Sequence, residues 1–265
     1  MDYSFVFPEG KDKAITFSYD DGNIADRRLV SIFNKYGLKA TFHLNSGTLN
    51  GRDFIKKEEI KDLYKGHEIA SHGVNHEFMN DLHTEAVMRE IAEDRRILEK
   101  YNDSIVVGYS YPYGQYNEQL INKLKVLGIQ YSRTVNSTKN FFIPGDFMKW
   151  NPTCHHNDIT DEMIDDFFNP PSFRKLSLFY IWGHSFEFDR ENTWERFENV
   201  CRKLHGRSDV WYVTNFEFKE YFSAIRNVVT NVDNTKLYNP SGQTIWLNKE
   251  GRVIKLKPGK IISIK

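Results

Sequence analysis

"KAITFSYDDG", residues 13–22, decides the fold. Its apolar first half reads as a buried strand, and it runs out into two adjacent carboxylates, Asp20 and Asp21, before a glycine. Residues 24–37, "IADRRLVSIFNKYG", then place Leu29, Ile32, Phe33 and Tyr36 on one helical face and stop at Gly37. The same exchange of strand for helix recurs for about two hundred residues. Strands are expected at "KATFHLN" (39–45), "HEIASHG" (67–73), "SIVVGYSYP" (104–112), "IQYSRT" (129–134), "KLSLFYIWGH" (175–184) and "VWYVT" (210–214). Helices are expected at 55–66, 84–101, 117–128, 192–206 and 215–227, the 84–101 helix with Val87, Ile91, Ile97 and Leu98 as its apolar stripe and its charges facing water. Alternation of this kind implies parallel strands joined by right-handed crossovers, and hence an α/β fold closed as a distorted (β/α) barrel of about seven strands.

From residue 228 the helical period stops. Turn signals at "NPSG", "NKEG" and "KPGK" separate short strands. Two units are therefore expected: a (β/α) barrel catalytic domain over 1–227 and a small β-hairpin appendage over 228–265.

Composition removes several classes of function. With 36 basic and 36 acidic side chains there is no overall field to draw the chain to nucleic acid or an anionic membrane. Cys154 and Cys201 stand far apart and build no disulfide framework. The N-terminal residues lack a signal-peptide pattern and no segment approaches the length of a spanning helix, so a cytoplasmic protein is the expectation. A homo-oligomer is left open. The heavy aromatic load, 20 Phe, 14 Tyr and 5 Trp, fits a large core and leaves rings for the faces of sugars.

In parallel α/β folds, residues leaving the carboxyl ends of strands converge on one face. Here those residues are Asp20 and Asp21, His72 and His76, Pro112 to Gly114, and His184. His72 and His76 in "HGVNH" sit at i and i+4. With one of the two carboxylates they would complete a two-His-one-carboxylate set for a divalent ion, zinc first and cobalt, nickel or manganese after it. The other carboxylate would stay free to take a proton from water.

"TFSYDDG", "SHGVNH", "YPYG" and the histidine closing "LFYIWGH" resemble, in order and spacing, the polysaccharide deacetylase family, carbohydrate esterase family 4, over roughly residues 13 to 220. The resemblance implies a distorted (β/α) barrel and a metal-dependent hydrolase acting on carbon–nitrogen bonds other than peptide bonds, with an acetylated carbohydrate as its substrate. It implies Asp20 as base, Asp21, His72 and His76 as metal ligands, the Tyr113 N–H as oxyanion donor and His184 as acid. Two alternatives stand beside it: hydrolysis of another linear or cyclic amide on the same barrel, or a catalytically retired carbohydrate-binding barrel.

The chain also departs from the family. In the family an arginine usually stands two residues before the proline of "P-Y-G" and pairs with the base through another acid; here that position is Ser110, and no plain D-x-x-D-W segment supplies that acid. Pro112, Trp182, His155 and His156 are further candidates for the substrate cleft. Glu187 is read as either an orienter of His184 or the cap of a helix near Asn192, and His43 as a hydrogen-bonded strand residue.

Overall fold

The computed structural model describes residues 3–264; residues 1, 2 and 265, which belong to the two units expected above, lie outside it. The first strand of the barrel is not the first of the chain. β1 (Tyr3–Val6) precedes β2 (Lys13–Asp21), which leads through α1 (Asp26–Tyr36) to β3 (Ala40–Leu44). The chain continues through α2 (Ile60–Leu63), β4 (Glu68–Ser71), α3 (Thr84–Asn102), β5 (Gly108–Ser110), α4 (Glu118–Val126) and β6 (Tyr131–Arg133). Then follow β7 (Cys154–His155), α5 (Asp161–Phe168), β8 (Ser177–His184), α6 (Phe186–Glu191), α7 (Trp194–Leu204), β9 (Val210–Tyr212) and α8 (Asn215–Arg226).

The strands pair in parallel in the order β6-β5-β4-β3-β2-β8-β7, with β9 also pairing with the start of β2. The expected parallel barrel-type sheet is present. It has one strand more than the seven read, because β7 is only two residues long and carries no period of its own. α5 and α6 were likewise not expected, being eight and six residues long.

β2 sits at the centre because its side chains alternate between two buried faces. Ile15, Phe17 and Tyr19 join the cluster under α1 and α7, with Phe33, Phe42, Phe179 and Phe197. Thr16 and Asp20 turn to the other side, where Thr16 bonds Asn215 (2.8 Å) and Asp20 meets residues of β5 and β6. Each fully buried aromatic of the first set contributes about 1.5–3 kcal/mol, enough for the apolar face to fix the register and deliver Asp20 to the second face.

The C-terminal residues form two antiparallel sheets. One contains β10 (Val229–Thr230), β11 (Lys236–Tyr238) and β14 (Ile261–Ser263). The other joins β12 (Ile245–Lys249) and β13 (Arg252–Leu256) to β1 from the opposite end of the chain. Leu237, Ile245, Leu247, Leu256 and Ile264 share one apolar cluster with Phe7, Tyr180, Phe218 and Tyr221. Among the described residues no helix is long and apolar enough to cross a membrane, and both cysteines are free and buried.

Candidate active site

The register of the sheet assembles the site. Asp20 is the Cα partner of His184 on one side and of His43 on the other, and β4 ends at Ser71, one residue before His72. Donor atoms of Asp21, His72 and His76 lie within 4.8 Å of one another. Asp21 and His76 both adopt left-handed backbone conformations, φ 80° and 56°, a conformational cost of the kind concentrated at functional sites. The segment from His72 to His76 is an irregular loop and not a helical turn. Its shape is held from outside: Glu90 accepts from the Asn75 N–H (2.9 Å) and side-chain amide (2.7 Å), and the Asn45 amide donates to the carbonyls of His72 and Gly73.

His72 is buried, and its Nδ1–H donates to the Ser110 carbonyl at 2.8 Å. That tautomer leaves Nε2 as the free lone pair, 3.8 Å from both Asp20 and Asp21. Burial lowers its pKa. An N₂O set with one imidazole already committed to neutral form suits a first-row divalent ion.

Beneath this wall lies a carboxylate that the amphipathic pattern hid. Asp94 on α3 is fully buried and accepts from Ser46 N (2.7 Å), Ser71 Oγ (2.5 Å) and His72 N (3.3 Å). Burial raises its pKa to about 6 against the pull of those bonds. The expectation that the charges of this helix face water fails at Asp94. The buried positions Val87, Ile91, Asp94 and Leu98 share the inner stripe, and Ile97 is only partly covered. The 87/91/94/98 spacing was the available signal.

Asp20 is buried and held by two donors. Ser110 Oγ donates to Oδ1 at 3.2 Å, and Arg133 Nη2 donates to Oδ2 in a closed ion pair. Burial alone would raise the carboxyl pKa, but the Arg133 guanidinium holds it well below the usual carboxylate range. The arginine that the motif lacks at residue 110 is therefore present beside Asp20 from the next strand. Its signal was a lone cation in the strand "IQYSRT". His43 is also buried, and burial lowers its pKa to about 3 against the opposing pull of Asp20 and the Ser71 backbone. His43 is thus a neutral strand residue packed beside the site.

On the far side of Asp20, Glu187 gathers three histidines. Its Oε2 lies 2.9 Å from His155 Nε2 and 3.5 Å from both His156 Nε2 and His184 Nδ1. Glu187 belongs to α6 and caps no helix near Asn192. His155, His156 and Glu187 have the proximity of a second ion site, but the protonation pattern opposes it. His155 Nδ1 accepts from the Asn157 N–H (3.3 Å), so its Nε2 carries the proton given to Glu187. Burial raises the Glu187 pKa, and the bonds from His155 and His184 outweigh it and leave the group lowered. For His184, burial lowers the pKa, and Glu187 with the charges of Asp20 and Asp21 reverses the sign to a net rise.

Trp182 is half-buried, edge-on to His155 and His184, with the Arg133 guanidinium 4.4 Å over its ring. His156 is buried below this layer, stacked on Phe188 at 4.2 Å, and Pro112 is buried too. Tyr113 is half-exposed in a left-handed conformation, φ 57°. The turn occupies the amides of Gly114 and Gln115 and leaves that of Tyr113 without an acceptor among the described residues. Its ring touches His76 (4.4 Å) and lies parallel to Phe78 at 3.8 Å. Phe78, half-exposed at this rim, was not read from the sequence.

Residues 8–132 match the polysaccharide deacetylase family model, which bears out the family read from the motifs. The putative polysaccharide deacetylase YxkH of Bacillus subtilis is 26% identical over 127 residues, 46% of this chain and 45% of that protein. The chain thus matches about half the length of that curated relative. A putative polysaccharide deacetylase structure from Mycobacterium smegmatis superposes with a TM-score of 0.60 at 19% identity, covering 83% of this chain and 93% of that one. A family 4 acetyl xylan esterase from Clostridium thermocellum, solved in complex with a cobalt ion, gives 0.50 at 16% identity, covering 77% and 89%. These likenesses establish the fold.

Proposed function

We propose that the protein is a metal-dependent hydrolase that removes acetyl groups from an N-acetylated or O-acetylated carbohydrate. The observation that carries this reading is the meeting, at one end of the sheet, of a ligand set (Asp21, His72, His76), a separate buried carboxylate (Asp20) and a histidine held by its own acid (His184 with Glu187). The family match supports it.

Asp21, His72 and His76 would hold the ion. The chemistry such an ion would supply is Lewis acidity, polarising an acyl carbonyl and bringing the pKa of water toward about 7. Asp20, kept ionised by Arg133, takes the proton of the attacking water. The Tyr113 N–H then donates to the oxygen on which charge develops, where a fixed donor is worth most. His184 protonates the leaving amine or alkoxide, with Glu187 retaining the imidazolium at Nδ1. The parallel rings of Phe78 and Tyr113 offer an apolar face to a sugar at the rim.

A retired binding barrel is disfavoured by the Asp20–Arg133 pair. Burying two charges is costly, and ligand binding alone does not require it.

The test is acetate release from N-acetylglucosamine oligomers and acetylated xylan by protein stripped with a chelator and then reloaded with zinc or cobalt. Activity should vanish on stripping and return on loading. Loaded protein that releases acetate from neither substrate would end the reading.

A further inference from the structure

We propose that Arg133 is the positioning residue for Asp20, supplied by β6 in place of a residue on β5; the inference rests on the deacetylase reading above. Three observations carry it. Ser110 and Arg133 are Cα partners on adjacent parallel strands, so their side chains leave the sheet on the same face, about 4.8 Å apart. Either position can send a guanidinium to Asp20. Arg133, fully buried, is fixed in three directions: Nη2 to Asp20, Nη1 to the Thr134 carbonyl (3.0 Å) and its face on Trp182 (4.4 Å). Ser110 is the complement of this arrangement. Its short side chain leaves the space between the strands to the neighbour's guanidinium, and its hydroxyl bonds the other Asp20 oxygen (3.2 Å) while lying 2.6 Å from His72 Nδ1.

The consequence is a carboxylate whose plane is set at both oxygens by two strands. The same guanidinium rests on the ring that flanks His184. One side chain thus sets the position of the base relative to both the ligand wall and the acid. Arg133 acts through Asp20.

The strand exchange gives the test. Metal-loaded full-length wild type, R133S, R133K and the double variant S110R/R133S are assayed on an N-acetylglucosamine tetramer, with metal content and thermal midpoint measured alongside. R133S should lose about 100-fold in kcat with KM within about twofold and its metal retained. R133K, with charge but no planar fork, should fall between. Returning the arginine to position 110 should recover at least about tenfold of the loss.

R133S with kcat within about threefold of wild type would overturn the inference. So would a double variant that melts like wild type and is no faster than R133S. Losses in all variants that merely track lowered midpoints would assign Arg133 to stability alone and overturn it as well. Wild type that holds metal and releases no acetate overturns the deacetylase reading itself, a result seen before any variant is compared.

Discussion

On one side of Asp20 stand Asp21, His72 and His76, contributed by two short stretches of chain and brought within 4.8 Å at the ends of β2 and β4, which flank β3. On the other stand Arg133, His184, Glu187 and His155, drawn from β6, β8, α6 and β7, with Arg133 separated from Asp20 by 113 positions. The first wall keeps its residues in a fixed local spacing because ligand atoms must converge on one point. The second requires only that a cation reach one carboxylate and that an acid reach one imidazole. Any inward-facing position at the right height meets that need, so residues there can change strand without changing the chemistry. The two walls therefore differ in what sequence can preserve: a spacing on one side, a juxtaposition on the other.

The largest effect should come from the residue between them. Asp20→Asn should lower acetate release by about 10³-fold, within the range of a lost general base, while the protein retains its metal. His76→Ala should do the reverse in kind, losing metal first and activity as a result. Elemental analysis of the two variants after dialysis separates the outcomes. Asp20→Asn protein that came out metal-free would merge the two walls into one and break the comparison.

The legibility of the chain follows the same division. β2 through β6, β8 and β9 were visible because their apolar runs end in glycine or polar groups, and α1, α3 and α7 because 3.6-residue periods survive in their sequences. β7 and α6 are too short to show a period, although they carry His155 and Glu187. β1 was not visible because its partner, β12, lies at the other end of the chain. At the site, "TFSYDDG" and "HGVNH" were readable as local chemistry. Arg133 was not: the pattern flagged the empty position at Ser110, but only strand register shows which neighbour fills it. Asp94 was hidden for another reason, since a single carboxylate on an inner helical stripe looks polar until its three donors are in place.

Glu187→Gln probes the second wall at smaller cost. Burial lowers the His184 pKa, and Glu187, with the negative charges nearby, raises it beyond that loss. A general acid works in its protonated form, so the rate falls as pH climbs through this raised pKa. Removing the Glu187 charge should move the alkaline limb of the kcat profile toward lower pH. The loss should be about tenfold on the alkaline side, a fraction of a full general-acid contribution, and small on the acid side. A uniform loss at every pH, with the limb unmoved, would show that Glu187 only packs α6 against β8.

Asp94→Asn should have the smallest effect and sharpens the first wall. Asn keeps the shape but offers one acceptor oxygen where Asp94 uses two, so one of the donors at Ser46, Ser71 or His72 loses its partner at a cost of about 1–3 kcal/mol. The ligands themselves are untouched, so kcat in saturating metal should stay within about twofold, while metal affinity weakens by about tenfold because His72 is less firmly placed. The change also has a pH signature. Burial raises the Asp94 pKa from 3.8 to about 6 in the folded protein, so the unfolded chain releases that proton first, and wild type loses stability as pH rises from about 4 through about 6. Asp94→Asn should lack that slope, and denaturant titrations at pH 4.5 and 7 measure it. Equal slopes in the two proteins would mean that the Ser46, Ser71 and His72 donors compensate the buried charge fully, and that the metal wall is braced more firmly than the proton wall.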